Sequence, residues 1–561
     1  MKFKIYILLG IMLSGFIIGC TDLEEEWHDK VVPSTFFKSE TDIKAALYRP
    51  FTHARWYVTG DRWNLQEHTA DQFAITTKGP HWYNGGENER YHYHKWTIND
   101  GWIWGTWRGT LMGVALALDT KQDLEKLNYE DFALTQADKD DHVSQLSALV
   151  AFFYLRGMDY FGGLPIFTSL EGDNVPRNTD KETYAHVEKL LKDAITKLPA
   201  KKAGQKEEGA LKKAAAATML AQLYFNAEAY IGEAKYDEAA AICQKIVDGE
   251  YGAYELDSDW FGAHDFYNDE SPEIIWSMPS QFKKLEYNWF ANYFYHYDHM
   301  RVYFAAEGGG WNGAHLQPSR RPDNSLYKTD FPLGSPYEKY NDADLRKQPY
   351  AYKSAGKYTG MFLVGDQISP ITGKECKGTE EYKGKLLSMV DKVGRFSEVG
   401  TTYSSVNDLP SNMSQGEENT GVRLVKVPIP PRADDNLRWG ADHPVIRLTE
   451  VYYMLAECKM RAGQKQAAAD LINKVRKRNF ASQTDPDPVT TANLDKFRML
   501  DEWGIEFLGE GRRRTDLIRW KQFVTGKWWD HTPTNSEHLR RFPVPQNALS
   551  GNNALVQNPG Y

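Results

Sequence analysis

Apolar residues recur at helical spacing in two well-separated parts of the chain. Leu220, Leu223, Tyr224 and Ala227 follow i, i+3, i+4, i+7, and Ala239, Ile242, Cys243 and Ile246 repeat the pattern after a short polar turn around Gly232. Near the C-terminus Val451, Met454, Leu455 and Cys458 form one stripe, Gly463 offers a C-cap, and Ala468, Leu471, Ile472 and Val475 form the next. Each pair reads as two helices joined by a tight turn, with small alanines at the contact face. A repeat length in the thirties makes them degenerate tetratricopeptide-like hairpins. Further helices are predicted near 35–58, 100–127, 138–161, 180–197 and 490–523.

From about 251 to 440 the stripes vanish, Pro and Gly are dense, and short aromatic-rich runs alternate with turns. Long irregular stretches inside a compact protein usually carry function. The predicted fold class is mostly α: a tetratricopeptide-like helical-hairpin scaffold with a loop-rich, aromatic-rich insert. Residues 35–561 are expected to form one domain, with an N-terminal helical half (35–250), the insert (251–440) and a C-terminal helical part (441–561). Two independent domains are disfavoured because neither helical half has enough repeats to cap itself.

The N-terminal residues carry an address. Lys2 and Lys4 precede an apolar run from Ile5 to Ile18, short of the roughly 20 residues that span a bilayer. Residues 1–19 are predicted as a signal peptide. Ile17-Ile18-Gly19-Cys20 resembles a bacterial lipobox, so Cys20 is the expected site of acylation, palmitate included, and residues 20–34 a lipidated acidic tether. Thr21-Asp22-Leu23-Glu24-Glu25-Glu26 resembles the signal that sends some lipoproteins to the outer face of the outer membrane. The expected location is the outer membrane, lipid-anchored and facing the cell surface.

Composition adds three constraints. The 561 residues carry a formal charge of −9, and loss of Lys2 and Lys4 with the signal peptide takes it to −11; no nucleic-acid partner is expected without a basic excess. Cys243, Cys376 and Cys458 allow at most one disulfide and match no zinc spacing. Aromatics are unusually frequent: 17 Trp, 32 Tyr and 26 Phe are more than a core of this size needs.

Several stretches are recognisable as they stand. Val445-Ile446-Arg447-Leu448-Thr449-Glu450-Val451-Tyr452-Tyr453-Met454-Leu455-Ala456-Glu457 resembles the signature helix of the SusD/RagB family, and Leu471-Ile472-Asn473-Lys474-Val475-Arg476 its next helix. Glu506-Phe507 and Glu510-Gly511-Arg512-Arg513 leading to Asp516-Leu517-Ile518-Arg519-Trp520 resemble its most characteristic motif. Phe542-Pro543-Val544-Pro545, the closing Gln557-Asn558-Pro559-Gly560-Tyr561, and Ala151-Phe152-Phe153-Tyr154-Leu155-Arg156 with Tyr160-Phe161-Gly162-Gly163-Leu164-Pro165 are similar too. One departure is Arg514-Thr515, where the family usually shows an aromatic pair. The resemblance implies an outer-membrane lipoprotein that captures nutrients for a SusC-like TonB-dependent transporter. Its RagB branch implies peptide capture as an alternative.

These motifs mark a fold, not a reaction. Glu502, Glu506 and Glu510 repeat every four residues with Arg512, Arg513 and Arg519 nearby. They are expected to form a buried ionic lattice tying the last helices together, since they lie in the scaffold motif and not in a loop-lined cleft where paired carboxylates hydrolyse glycosides. Tyr91-His92-Tyr93-His94 alternates like a strand, placing both His on one face, and His296 and His299 flank Asp298. Neither run has a third ligand at a diagnostic spacing, so no metal is expected. His-Glu-x-x-His, a Walker loop, a Gly-x-Ser-x-Gly elbow and a dinucleotide fingerprint are all missing; no cofactor and no catalysis are expected.

Eleven Trp fall in two segments, seven between Trp56 and Trp107 and four between Trp260 and Trp311. Trp102, Trp104 and Trp107 open a helix similar to the family's packed entry helix and read as structural. Trp82-Tyr83-Asn84-Gly85-Gly86 and Gly308-Gly309-Gly310-Trp311-Asn312-Gly313 differ, because Gly-rich polar loops let a ring stand out. An exposed flat ring beside amides suits a sugar, whose C–H face lies on the ring while amides bond its hydroxyls. The family also places ligands on aromatic platforms in these two regions. The candidate ligand-binding set is Trp82, Tyr83, Asn84, Trp96, Trp289, Trp311 and Asn312, with the aromatic run from Tyr287 to Tyr297 next in line. The expected function is a cell-surface glycan-binding lipoprotein that feeds a SusC-like transporter; a peptide-capturing RagB-type protein or a surface glycoside hydrolase are the alternatives.

Overall fold

The computed structural model describes residues 36–170, 174–206, 209–281, 284, 290–354, 356–437 and 440–561. Cys20, the predicted signal peptide and tether, and Trp289 lie outside them. The protein is mostly helical. The N-terminal part supplies α1 (Glu40–Tyr57), α2 (Asp61–Glu67), α3 (Glu87–His92), α4 (Gly101–Lys126), α5 (Gln136–Phe161), α6 (Asp180–Lys197), α7 (Lys213–Phe225), α8 (Ala227–Ile231) and α9 (Tyr236–Val247). After α10 (Phe290–Phe294) come α11 (Leu448–Arg461), α12 (Lys465–Arg476), α13 (Lys496–Glu506), α14 (Arg513–Arg519) and α15 (Gln546–Gly551).

The helices start where caps dictate. Thr135 and Asp138 form a reciprocal capping box at α5, and Thr179 and Glu182 do the same at α6, each satisfying amides the first turn leaves unpaired. Antiparallel neighbours then stack in series, α4 on α5, α5 on α6, α6 on α7, α7 on α9, α9 on α11 and α11 on α12. Close approach of α4 and α5 needs a missing side chain: a Cβ on Gly113 would fall 2.4 Å from the Phe153 ring. Helix α7 is buried on every side because it is enclosed by α6, α9 and α11. Gly232 and Gly463 end α8 and the α11 turn with φ of +75° and +78°, as the sequence pattern requires.

Helices α9 and α11 pack together although about 200 residues separate them, so the scaffold closes around the base of the insert. An antiparallel strand pair, Ile274–Met278 with His443–Arg447, forms its neck. Above the neck lies a second core built mainly from rings, including Trp63, Phe73, Phe294, Tyr303, Phe304, Tyr340, Tyr350 and Phe362. Much of the aromatic excess is therefore interior.

Two expectations are corrected here. The stretch 490–523 is not one helix: Gly509 and Gly511, at φ +76° and +70°, break it into α13 and α14, and Glu67 of α2 accepts the Gly511 and Arg512 amides at 2.8 and 3.1 Å across the break. Tyr91–His94 is not a strand either; it is the end of α3 and the turn after it. Alternation over four residues is too short to separate a strand from a helix end.

The ionic lattice is present, but apart from Arg498, four residues before Glu502 on α13 and 2.8 Å from it, its partners come from farther away. Glu506 accepts Arg346 at 2.8 Å, Arg447 at 3.0 Å and Arg478 at 3.1 Å, and Glu502 accepts Arg476 at 2.8 Å. Glu510 pairs with Arg447 at 2.7 Å and with Lys426. The nearby arginines turn elsewhere: Arg512 to Glu450, Arg513 to Asp71 and Arg519 to Glu457. Burial alone would raise the Glu506 carboxyl, yet the three guanidiniums hold it at about 2.

Candidate functional site

Three segments from different parts of the insert and scaffold edge meet at one surface groove of about 550 Å³, lined by His81, Trp82, Tyr297, Gly310, Trp311, Thr379 and Glu380. The first segment is tightened by paired Lys78 and His81 backbone bonds of 2.9 and 2.8 Å. Trp82 then sits at φ +65°, costly for a bulky residue. It is held there from three sides: Asn88 Nδ2 donates to its carbonyl at 2.8 Å, its own Nε1 donates to the Trp311 carbonyl at 2.9 Å, and its ring lies over Gly313, where a Cβ would fall 2.7 Å away.

The second segment runs alongside the end of α10. Amides of Trp311, Asn312 and Gly313 donate to the carbonyls of Asn292, Tyr295 and Tyr293 at 2.7, 2.8 and 3.1 Å. Gly310 is required for that approach, since a Cβ would lie 2.0 Å from the Tyr295 oxygen. The Trp311 ring remains 46% exposed. Both indoles stand nearly perpendicular to the Tyr293 ring, Trp82 at 79° and Trp311 at 88°, so one buried tyrosine props both.

The third segment, 379–382, wraps around a carboxylate. Amides of Thr379, Glu380 and Tyr382 donate to Glu418 at 2.7, 3.1 and 2.7 Å. His296 takes the Asp298 amide on Nδ1, which leaves its Nε2–H to donate to Glu418 at 3.1 Å. Burial alone would raise the Glu418 carboxyl, but these donors hold it at about 2. Its contribution is therefore complete above the ordinary carboxylate range and is lost only as pH falls through about 2.

The sequence candidates divide. Trp82 and Trp311 come together through a direct hydrogen bond. Tyr83 is 56% exposed and Asn84 is exposed beside them, its Nδ2 on Glu87 at 2.9 Å; neither lines the groove. Asn312 is a correction: at 1% exposure it accepts from Arg423 at 2.7 Å and donates to the Glu418 carbonyl at 2.9 Å, so it braces the loop and offers no amide to a ligand. Trp96 is another, 5% exposed, with its Nε1–H on Tyr561 at 2.8 Å and its ring against Phe542. His81, Thr379 and Glu380 were not among the candidates, and Tyr297 entered only as the end of the next-in-line aromatic run. His81 adjoins Trp82 and Tyr297 ends the aromatic run, which were usable signals; 379–382 carried none, because its clamp lies 36 to 39 residues away.

The histidine runs are structural. His92 and His94 are buried with Nε2 on backbone carbonyls, and His299 Nδ1 accepts the His296 amide at 3.0 Å. Among the described residues no group of three or more His, Cys, Asp or Glu could hold a metal. His531, stacked on Trp528 at 3.8 Å, is pushed down to about 4 by burial. The unfolded chain then protonates first as pH falls below about 6.5, so stability declines between pH 6.5 and 4, by on the order of 3 kcal/mol at full effect. In His531→Gln that part of the slope should vanish in melting curves taken across the window.

A family model described as the SusD family matches residues 272–561. The chain belongs to the SusD family. A second model, described as starch-binding associating with outer membrane, matches residues 25–225. The starch-binding protein SusD of Bacteroides thetaiotaomicron is 24% identical over 443 residues, covering 76% of this chain and 74% of that protein. Among solved structures, surface glycan-binding protein A from Bacteroides thetaiotaomicron has a TM-score of 0.65 at 17% identity, covering 94% of this chain and all of that one. The same protein in complex with laminarihexaose gives 0.63 at 17% identity, covering 93% of this chain and 100% of that chain. The structural likeness speaks for the shared fold.

Arg514, where the sequence resemblance leads one to expect an aromatic residue, packs among rings. Arg514 is fully buried, its flat guanidinium 4.7 Å from the Phe542 ring and 5.4 Å from Phe523, and it bonds Asp159 at 3.2 Å. A guanidinium face packs where an aromatic ring would.

Proposed function

We propose that this SusD-family protein binds glycans in the groove between Trp82 and Trp311, capturing oligo- or polysaccharide at the outer membrane for a SusC-like TonB-dependent transporter. The observation that carries the reading is the convergence of two indoles, distant in sequence, on one open groove, braced by an inner layer of hydrogen bonds. Rigid aromatic faces are suited to the C–H faces of sugars. The names of the relatives support the same reading: one is a starch-binding protein, and another was solved with laminarihexaose bound. Among the described residues of the lining Glu380 is the single carboxylate, where glycosidases use two.

A screen of the purified protein against polysaccharides and oligopeptides, with reducing-sugar release followed in parallel, tests this. Retention of a glycan without sugar release is expected. Capture of peptides alone, or turnover, would replace the reading.

Lipid anchoring at Cys20 is part of the proposal. Cys20→Ala should move the protein from the membrane fraction to the soluble fraction, and the wild-type N-terminal peptide should carry acyl mass. Unchanged fractionation without that mass would count against it. Gentle detergent extraction should also recover the protein with a SusC-like barrel.

A further inference from the structure

The polar half of the groove carries one charge, and its sign has a consequence for the ligand. Among the described residues that line it, Glu380 is the single carboxylate and none is Lys or Arg. We propose, resting on the glycan-binding reading, that the groove is selective for uncharged glycans and that Glu380 is the specificity-determining residue that turns away uronates and sulfated sugars.

The loop that carries Glu380 is fixed by its backbone. The Glu380 amide donates to the buried Glu418 at 3.1 Å, and the amides on either side at 379 and 382 donate to it as well. The backbone of this wall is therefore held in place, and the Glu380 side chain extends from it. The side chain is 44% exposed, and its ion-pair neighbour, His81, stands 3.7 Å away, beyond hydrogen-bond length. Carboxylate oxygens in that state accept pairs of sugar hydroxyls and meet an acidic sugar only with repulsion.

Two buried cations beneath the groove stay out of its lining. Lys78 is buried beneath the loop with Nζ on the Gly313 carbonyl at 2.9 Å, and burial pushes it well below its ordinary range. Arg423 lies behind Asn312 with its two Nη groups on Asn312 Oδ1 and the Ala314 carbonyl at 2.7 and 3.1 Å, so it presents neither to a ligand. Glu381 on the same loop adds a second carboxylate, which accepts the Glu418 amide at 3.2 Å. Across a few ångströms of partly excluded water, one like charge suffices for discrimination of about tenfold or more at low salt.

Affinity electrophoresis with matched polymers is the test: laminarin, dextran and starch, each beside its carboxymethylated or sulfated derivative. Wild type should retain at least one neutral polymer about tenfold more tightly than its charged partner at low salt. Glu380→Gln should narrow that ratio to about threefold or less, and so should raising the salt toward 1 M. The same ratio in Glu380→Gln as in wild type, or wild type retaining a charged polymer as tightly as the neutral one, overturns the selectivity and leaves glycan binding standing. Retention of no polymer at all overturns the glycan reading and this inference with it.

Discussion

Replacing Arg447 with Met should cost about 3–5 kcal/mol of stability, because it removes one partner from a buried ionic group and leaves the others in place. Arg447 sits at the end of the neck strand, just before α11, with its side chain almost fully buried. One guanidinium serves three carboxylates: Glu273 at 2.9 Å, Glu506 at 3.0 Å and Glu510 at 2.7 Å, with Phe507 beneath it at 4.5 Å. Arg478, Arg346 and Lys426 remain after the substitution, which keeps the loss from being larger. The effect should also have a pH signature. Glu506 at about 2 contributes stability that is present above the ordinary carboxylate range and lost as pH falls through about 2. With Arg447 gone its carboxyl rises toward normal, so the variant should lose less on acidification than wild type does. Denaturant unfolding at pH 7 and pH 3 checks both. A loss below about 1 kcal/mol at pH 7 would show that the remaining cations suffice.

The helices were legible because burial on one face imposes a period. The stretches read at 100–127 and 180–197 are α4 at Gly101–Lys126 and α6 at Asp180–Lys197. The pattern failed where a single contact overrides it. Glu67, more than 400 residues away, staples the break between α13 and α14, and nothing local announces it. The lattice glutamates were visible as a helical repeat, but most of their partners come from the insert (Arg346, Lys426), the neck (Arg447), and the end of α12 and the turn after it (Arg476, Arg478). Sequence proximity favoured Arg512, Arg513 and Arg519, which serve Glu450, Asp71 and Glu457 instead.

At the groove, Gly-rich loops pointed to Trp82 and Trp311 for a sound reason: a ring among glycines has little to pack on. The same reasoning put Asn312 in the ligand's path, where the fold needed a residue that tolerates φ of +53° and could bridge Arg423 to the Glu418 carbonyl. Composition alone cannot tell an amide that faces a ligand from one that braces the loop beneath it.

Isothermal titration of wild type, Trp82→Ala, Trp311→Ala and the double variant, with a glycan that the wild type retains, tests the central claim most directly. Each ring is an anchor of a small site, so each single substitution should cost about 1–2 kcal/mol, roughly a tenfold loss in affinity. The two rings line one groove and both lean on Tyr293, so their losses should not simply add. Trp311→Ala should melt close to wild type because its ring is largely outside the core. The account predicts that the double variant, still folded, shows no measurable heat of binding. A double variant that binds as wild type does would contradict it and place the glycan elsewhere on the protein.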